Sequence, residues 1–233
     1  MKRFLTCLFL ALLLSGHSAA IAQDTGEDRL GAWYMYFGTN RISEKWSIHT
    51  EAQFRYYEVA GNFNQMLLRT GANFHIAANA IATLGYAYID TDTEFEEFEG
   101  EKKSFEHRIF QQFILKNSLG DIAFEHRYRL EQRFLEQYGR SDTQHRARYR
   151  LQLTYPLNEK WFLNFYDEIF INLQQPLFGQ NRLYGALGYK LRPDLSLQLG
   201  FLKNHFTGRN YDRLQFAVFF NPDFSGSRHN RNL

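Results

Sequence analysis

The sequence predicts an all-β fold, a single antiparallel transmembrane β-barrel of about twelve strands, with about ten as the fallback. Three observations support this fold class. Apolar and polar residues alternate in segment after segment. A signal for export precedes these segments, and the connections between them alternate between short and longer lengths. No run of about 18 apolar residues occurs, so the sequence predicts no transmembrane helix.

The N-terminus has the features of a cleaved signal peptide. Lys2 and Arg3 form a short positive region, and Phe4–Leu14 is an apolar run too short to span a bilayer as a helix. Ala20–Ala22 supplies the small-x-small pattern that signal peptidase reads, which predicts cleavage before Gln23. The predicted segments are a signal peptide over 1–22, an outer-membrane barrel over 23–221 and a polar C-terminal tail over 222–233.

Composition narrows the function classes. The one cysteine, Cys7, lies in the predicted signal peptide, so the mature barrel is expected to have no disulfide and no thiol chemistry. A net charge of +2 gives no reason to expect a nucleic-acid partner. Arginine outnumbers lysine by 19 to 8, and planar guanidinium groups are favoured where charges pair in a confined space.

The clearest predicted strand covers residues 46–57. Trp46, Ile48 and Phe54 lie on one face, whereas Glu51 and Arg55 lie on the other, which is the period of two that a strand imposes. Four further segments show the same alternation: 65–76, 122–134, 144–155 and 161–173. Weaker segments cover 31–38, 81–89, 105–115, 182–190, 195–202 and 213–220. Because single-chain bacterial barrels have even strand numbers, these segments predict either one further strand or one false segment.

The predicted connections differ in length at the two ends of the barrel. The short turns are 40–45, 77–80, 116–121, 156–160 and 191–194. The longer links are 58–64, 90–104, 136–142, 174–181 and 204–212. Outer-membrane barrels have periplasmic turns and longer external loops. The expected location is therefore the outer membrane of a Gram-negative bacterium, with the longer links outside.

Alternation alone does not decide which face meets water. A soluble periplasmic barrel that binds a ligand would bury its apolar face, whereas a membrane barrel turns that face to lipid. The membrane alternative is favoured because Trp46 and Trp161 directly follow short turns and Trp33 lies in the first strand, as interfacial aromatic girdles require. Three polar residues fall on apolar faces and mark interfaces, bulges or register errors: His107, His126 and Asp167.

With lipid outside, the polar faces line a narrow lumen. The predicted lumen-lining residues are Glu51, Arg55, Arg69, Glu106, Arg108, Glu125, Arg127, Arg129, Glu131, Arg133, Arg146, Arg148, Arg150, Glu168, Arg182 and Arg213. Charged groups there must pair or contact water. One hypothesis is a small pore that prefers anionic solutes, since arginines outnumber glutamates. The alternative is a structural or interaction barrel whose ion network plugs the lumen. Membrane lipid is the expected partner, and the sequence does not indicate an oligomeric state.

The sequence offers little for catalysis. Ser104 and His107 are the closest serine–histidine pair, and their spacing in a strand puts the side chains on opposite faces. Glu168 with Glu131 imitates a glycosidase pair, but any glutamate-rich lumen provides such pairs. No metal-ligand spacing, phosphate loop or nucleotide motif occurs. The prediction is a protein that is not an enzyme and has no cofactor and no metal site.

Several segments together resemble a known family. They are Gly31–Trp33, the strand containing Trp46, Glu51 and Arg55, the stretch Tyr166–Phe170, and Gln180–Tyr184 followed by Gly185 and Gly188. This combination resembles the uncharacterised domain-of-unknown-function family 2490 over nearly the whole mature chain. The resemblance implies an outer-membrane β-barrel. It implies no activity, and it assigns no functional residue.

Overall fold

A computed structural model of the chain describes residues 25–95 and 103–226. Within these ranges the chain forms one closed barrel of eleven strands. The strands are β1 (Gly31–Arg41), β2 (Trp46–Tyr56), β3 (Phe63–Ala77), β4 (Ala80–Asp92), β5 (Lys103–Leu119), β6 (Ile122–Gln137), β7 (Arg140–Pro156), β8 (Trp161–Asn172), β9 (Phe178–Arg192), β10 (Leu195–Phe206) and β11 (Arg209–Phe220). The described ranges include no helix that is long and apolar enough to cross a membrane. The predicted signal peptide over 1–22 lies outside them.

The eleven alternating segments of the sequence all become strands, but the predicted strand count is wrong. The barrel has neither twelve strands nor ten, because β1 and β11 pair in parallel, with Gly31–Gly38 beside Arg213–Phe220. An odd number of strands joined by hairpins leaves the first and last strands running in the same direction. A parallel seam then closes the barrel without another strand. Aromatic rings stack across this seam: Tyr34 on Phe216 and Phe37 on Phe219.

Two of the predicted longer links are also wrong. The links at 136–142 and 204–212 are two-residue turns, because β6, β7, β10 and β11 continue through most of their polar residues. At the first of these turns, Tyr138 and Gly139 both have a positive φ, of 52° and 67°, which is the backbone shape of a tight hairpin. The longer connections that remain at this end of the barrel, called the loop end, lie at 57–62, 93–102 and 173–177. The opposite end is called the turn end.

The exterior is mostly apolar, and its polar residues pair across neighbouring strands. The three polar residues that the sequence placed on apolar faces do point outward. His126 Nδ1 is hydrogen-bonded to Tyr149 Oη at 2.9 Å, and Asn181 Nδ2 donates to Asp167 Oδ1 at 2.9 Å. His107 is hydrogen-bonded to the hydroxyl of Tyr86 in the same way. This pairing satisfies polar groups that would otherwise be costly in apolar surroundings.

The three tryptophans occupy two different environments. Trp46 and Trp161 are exposed on the exterior at the turn end, where Trp46 packs on Phe74 and Trp161 on Tyr189. Trp33, however, is only 5% exposed and points into the barrel. Its predicted place in an exterior girdle is therefore wrong, because β1 carries apolar residues on both of its faces.

The first residues of the predicted tail are attached to the barrel at the turn end. The backbone N–H of Arg41 donates to the oxygen of Pro222 at 2.9 Å, and the N–H of Phe224 donates to the oxygen of Arg41 at 2.8 Å. Residues 222–226 therefore extend the pairing beside β1 by a short bridge.

Candidate functional site

The barrel encloses a cavity of about 1040 Å³. The structure places all of the predicted lumen-lining residues on the interior side of their strands. All except Glu131 border the cavity directly. Glu131 is 1% exposed and lies behind the arginines that contact it. The interior surface around this cavity has two sides of different composition, one charged and one apolar and aromatic.

The first side is an ion-pair network on β5 to β8. Its central member is Glu131, which receives hydrogen bonds from Arg146 at 2.6 Å and from Arg148 at 2.7 Å. Arg108 and Arg129 lie 3.4 Å and 3.7 Å from the same carboxylate. We call this side the ion-pair wall, made of Glu106, Arg108, Glu131, Arg146, Arg148 and Glu168.

The other two carboxylates of the ion-pair wall are also shared. Glu168 lies 2.7 Å from both Arg127 and Arg148. Glu106 lies 2.6 Å from Arg108 and 2.8 Å from Arg133. Each carboxylate of the wall therefore accepts hydrogen bonds from at least two guanidinium groups.

Two smaller ion pairs lie beside this wall. Glu51 on β2 contacts Arg69 on β3 at 2.6 Å, and Glu125 on β6 contacts Arg150 on β7 at 2.6 Å. Lys116 lies 3.7 Å from Glu125. Eight of the eleven predicted interior arginines therefore lie near a glutamate.

The second side of the interior is apolar and aromatic. It is formed by β1, β9, β10 and β11, and we call it the aromatic wall, made of Trp33, Met35, Tyr184, Ala186, Leu202 and Ala217. Tyr166 stacks on Tyr184 with ring centroids 4.6 Å apart and extends this surface toward β8. The sequence analysis did not predict this wall, because it assigned only polar residues to the interior face.

Interior rings also cover glycines of a neighbouring strand. A Cβ atom at Gly85 would lie 2.3 Å from Phe110, and one at Gly188 would lie 2.2 Å from Phe162. Each ring thus lies flat against the backbone beside it, which only glycine permits. Alternation along β8 indicates that these rings face the interior, since Phe162 and Phe170 lie on the same face of the strand as Glu168.

Guanidinium groups stack on these interior rings. Arg148 lies 4.1 Å from the ring centroid of Phe170, and Arg55 lies 3.9 Å from that of Trp33. Arg182 lies between the same two rings, at 4.8 Å from Trp33 and 4.7 Å from Phe170. Stacking of this kind holds a cation in place without neutralising its charge.

Three interior arginines form no ion pair with a carboxylate in the described part of the chain: Arg55, Arg182 and Arg213. Glu168 is nevertheless the cross-strand neighbour of Arg182. The Arg55 guanidinium donates to the side-chain oxygens of Gln53 and Gln65. Arg213 donates to backbone oxygens of Arg29 and Asp212. The uncompensated positive charge is therefore concentrated at and beside the aromatic wall.

A tyrosine stands at the loop end of the cavity, just beyond β2. Tyr57 is 8% exposed, and burial raises the pKa of its hydroxyl to about 12. The neutral hydroxyl donates to the backbone oxygen of Asp92 at 3.3 Å. The ring packs edge-on against Phe95, whose backbone oxygen accepts from Asn62 at 2.9 Å. These contacts hold the connection at 57–62 against the residues that follow β4.

The closest serine–histidine pair of the sequence is not assembled into a catalytic site. Ser104 is buried in the interior, whereas His107 is exposed on the exterior, as their spacing in a strand predicts. Among the residues that the structure describes, no group of three or more histidine, cysteine, aspartate or glutamate side chains could hold a metal ion.

Comparisons with known proteins give one family and one solved structure. The family described as Protein of unknown function (DUF2490) matches residues 30–215. The solved structure titled "NanC porin structure in rhombohedral crystal form" is similar at a TM-score of 0.48 and 12% identity, over 82% of this chain and 98% of that chain. No curated protein matches the chain.

Proposed function

The chain belongs to the family described as Protein of unknown function (DUF2490), and since this description assigns no activity, we propose a function from the barrel itself. The protein is an outer-membrane β-barrel that forms a narrow, arginine-lined pore with a preference for small anionic solutes. It is exported from a Gram-negative cytoplasm, and its signal peptide is removed before Gln23. It is not an enzyme, and its exterior partner is membrane lipid.

The observation that carries the membrane part of this proposal is the inverted polarity of the barrel. Outward-facing Leu84, Leu183 and Leu199 are 61%, 55% and 54% exposed. Inward-facing Arg129 and Glu131 are 3% and 1% exposed. A soluble barrel places its apolar residues inside, and soluble monomers rarely expose apolar patches larger than a few hundred Å². Apolar outside and charged inside is the pattern of a barrel in lipid, and it argues against the soluble periplasmic binder.

The aromatic residues at the turn end support the same placement. Trp46 and Trp161 are exposed at the ends of β2 and β8 and pack on further exterior rings. Tryptophan and tyrosine prefer the interface between lipid and water. This rim is the expected periplasmic interface, with the loop end outside the cell.

The preference for anions rests on the interior charge. The interior faces carry eleven of the predicted arginines and five glutamates, Glu51, Glu106, Glu125, Glu131 and Glu168. Three of the arginines form no ion pair with a carboxylate in the described chain. A bore with this excess lowers the energy of an anion and raises that of a cation.

A second candidate is a structural barrel with a plugged interior. Glu131 draws together guanidinium groups from β5, β6 and β7, and this cluster fills part of the cross-section. If the cluster closes the bore, the barrel conducts no ions and acts through its exterior or its loops. Conductance separates this candidate from the pore.

Cell fractionation tests the membrane part of the proposal. The protein is expected in the outer-membrane fraction, and the unheated sample is expected to migrate differently from the boiled sample on a gel, as folded membrane barrels do. Recovery of the folded protein in the soluble periplasmic fraction would reject the lipid-facing exterior.

A further inference from the structure

The aromatic wall carries a set of positive and hydrogen-bond-donating groups that lack acceptors. Arg55 from β2 and Arg182 from β9 approach the same ring, that of Trp33 on β1, at 3.9 Å and 4.8 Å. Neither guanidinium is ion-paired with a carboxylate of the described chain. The two cations are thus held near each other by an aromatic ring, in the half of the barrel nearer the loop end.

Buried donors without partners surround this pair of cations. Trp33 Nε1, Arg182 Nε and Gln215 Nε2 form no close hydrogen bond among the described residues, although the Gln215 amide lies near the Tyr166 hydroxyl. Trp33 and Gln215 are only 5% and 2% exposed, and they are register partners across the parallel seam. Buried donors are nearly always paired in folded proteins. Three such donors, on β1, β9 and β11, therefore indicate a place where an external acceptor can bind.

The groups present define the chemistry of that acceptor. Two guanidinium cations and further N–H donors favour a ligand that is negatively charged and accepts several hydrogen bonds. Asn204 is the register partner of Arg182, and its amide can turn to present its NH₂ group to the same ligand. A metal cation would be repelled by the two guanidinium groups.

A solute inside the barrel cavity can reach the side chains around Trp33. The side chains of Trp33, Arg55, Arg182, Asn204 and Gln215 all border the cavity of about 1040 Å³. Unpaired donors also occur beside the ion-pair wall, at Arg127 Nε and Arg129 Nη1, but Arg127 and Arg129 each have a glutamate within 4 Å. Arg55 and Arg182 differ from those arginines in forming no ion pair with a carboxylate of the described chain, although Glu168 is the cross-strand neighbour of Arg182.

We propose that Arg55, Arg182, Trp33 and Gln215 form a discrete binding site for an oxyanion, a carboxylate or a phosphate, on the aromatic wall of the barrel. The site rests on the proposed function in one respect, since a solute must be able to enter the interior. It goes beyond a general preference for anions, because it names one position at which the anion is held by hydrogen bonds.

Equilibrium dialysis of the folded, full-length mature protein against radiolabelled inorganic phosphate tests the site at constant ionic strength. Arg182→Gln removes a cation and an orphan donor, and is expected to weaken phosphate binding about tenfold or more. The matched control is Arg146→Gln, which removes the same charge from the ion-pair wall and is expected to change binding by less than about threefold, as a screened charge does. Heat-modifiable migration verifies that each variant is folded.

A second variant keeps the aromatic ring and removes only a donor. Trp33→Phe preserves the surface on which Arg55 and Arg182 stack but lacks the indole N–H, so weaker phosphate binding by this variant supports the site. Displacement of labelled phosphate by acetate supports a site that accepts carboxylates as well.

Three outcomes would overturn the site: no phosphate binding by the native protein, equal weakening by Arg182→Gln and Arg146→Gln, or unchanged binding by both Arg182→Gln and Trp33→Phe. Anion-selective conductance with no phosphate binding rejects the site and leaves the proposed pore intact. Phosphate binding without conductance supports the site and rejects the pore.

Discussion

The two walls of the interior show two ways of burying arginine. On the ion-pair wall, Glu131 and its neighbours neutralise the guanidinium groups directly, and the charges hold one another in place. On the aromatic wall, Arg55 and Arg182 stack on Trp33 and keep their charge available. The lesson is that a count of charges does not describe such an interior. The same residue is a structural brace on one side and a free cation on the other.

This difference separates stability from function in the proposed pore. Breaking the ion-pair wall leaves several buried charges without a partner, which is costly. Changing the aromatic wall removes charges that contribute little to holding strands together. Substitutions on the two walls should therefore differ in what they damage.

The largest expected effect is on the stability of the ion-pair wall. Glu131→Gln removes the shared counter-charge of Arg108, Arg146 and Arg148, and should lower the free energy of unfolding by about 3–5 kcal/mol. Gln215→Leu on the aromatic wall replaces an amide whose Nε2 has no partner, and should be nearly neutral or stabilising. Urea titration in lipid vesicles, followed by the folded fraction on a gel, measures both.

Glu125→Gln is the control for this comparison. The Glu125 side chain is 20% exposed, so water can partly replace its lost charge and the same substitution there should cost less than at Glu131. Equal losses for Glu125→Gln and Glu131→Gln would contradict the special place of Glu131.

A smaller loss of stability is expected when an apolar residue on the exterior behind either wall is replaced by arginine. Leu130 lies behind the ion-pair wall and Leu199 behind the aromatic wall, and both are about half exposed. Substitution of either by arginine should cost about 2–4 kcal/mol near the bilayer midplane. Leu119 at the turn-end rim is 74% exposed, and the same change there should cost only about 0–1 kcal/mol. Equal tolerance at all three positions would show that the exterior does not face lipid.

The walls should also contribute unequally to ion selectivity. Arg55→Gln combined with Arg182→Gln should lower the chloride-to-potassium permeability ratio, because these cations form no ion pair with a carboxylate. Arg146→Gln combined with Arg148→Gln removes the same charge from cations of the ion-pair wall, which are already paired with Glu131 and Glu168, and should lower the ratio less. Reversal potentials in planar bilayers give both ratios. A larger loss from the second pair would contradict the contrast between the walls.

Orientation can be tested without a change in stability. Ala60→Cys places a thiol in the exposed connection at 57–62 at the loop end, and Glu159→Cys places one in a turn at the opposite end. An impermeant maleimide added to intact cells should label the first and spare the second. The reverse labelling pattern would invert the topology.

The sequence predicted much of this fold, because alternation is imposed by the pleat of a strand and survives in every segment. It also predicted the interior positions of residues such as Arg148 and Glu168, which follow from parity. The parallel seam was not predictable in this way. Residues 31–38 are apolar on both faces, because Trp33 packs on the aromatic wall while Tyr34 packs outside, so their pattern does not indicate a partner. Which arginines are paired depends on the register of neighbouring strands, which alternation alone does not specify.

The positions at which strands end were also not predictable from alternation alone. Residues 136–142 read as a loop because they are polar, yet β6 and β7 continue to Gln137 and begin at Arg140. In the proposed membrane barrel, a strand that extends beyond the membrane into water needs no apolar face there. On that proposal, polarity marks where lipid ends rather than where the strand ends.

A net positive bore should conduct anions in preference to cations. The reversal potential of the purified, folded protein in a planar bilayer under a potassium chloride gradient measures this preference. We expect a potential displaced toward the equilibrium potential of chloride, with a small conductance because the ion-pair wall narrows the bore. A potential displaced toward that of potassium would show that the bore prefers cations. No conductance from protein whose folding is verified by heat-modifiable migration would show that the interior is closed.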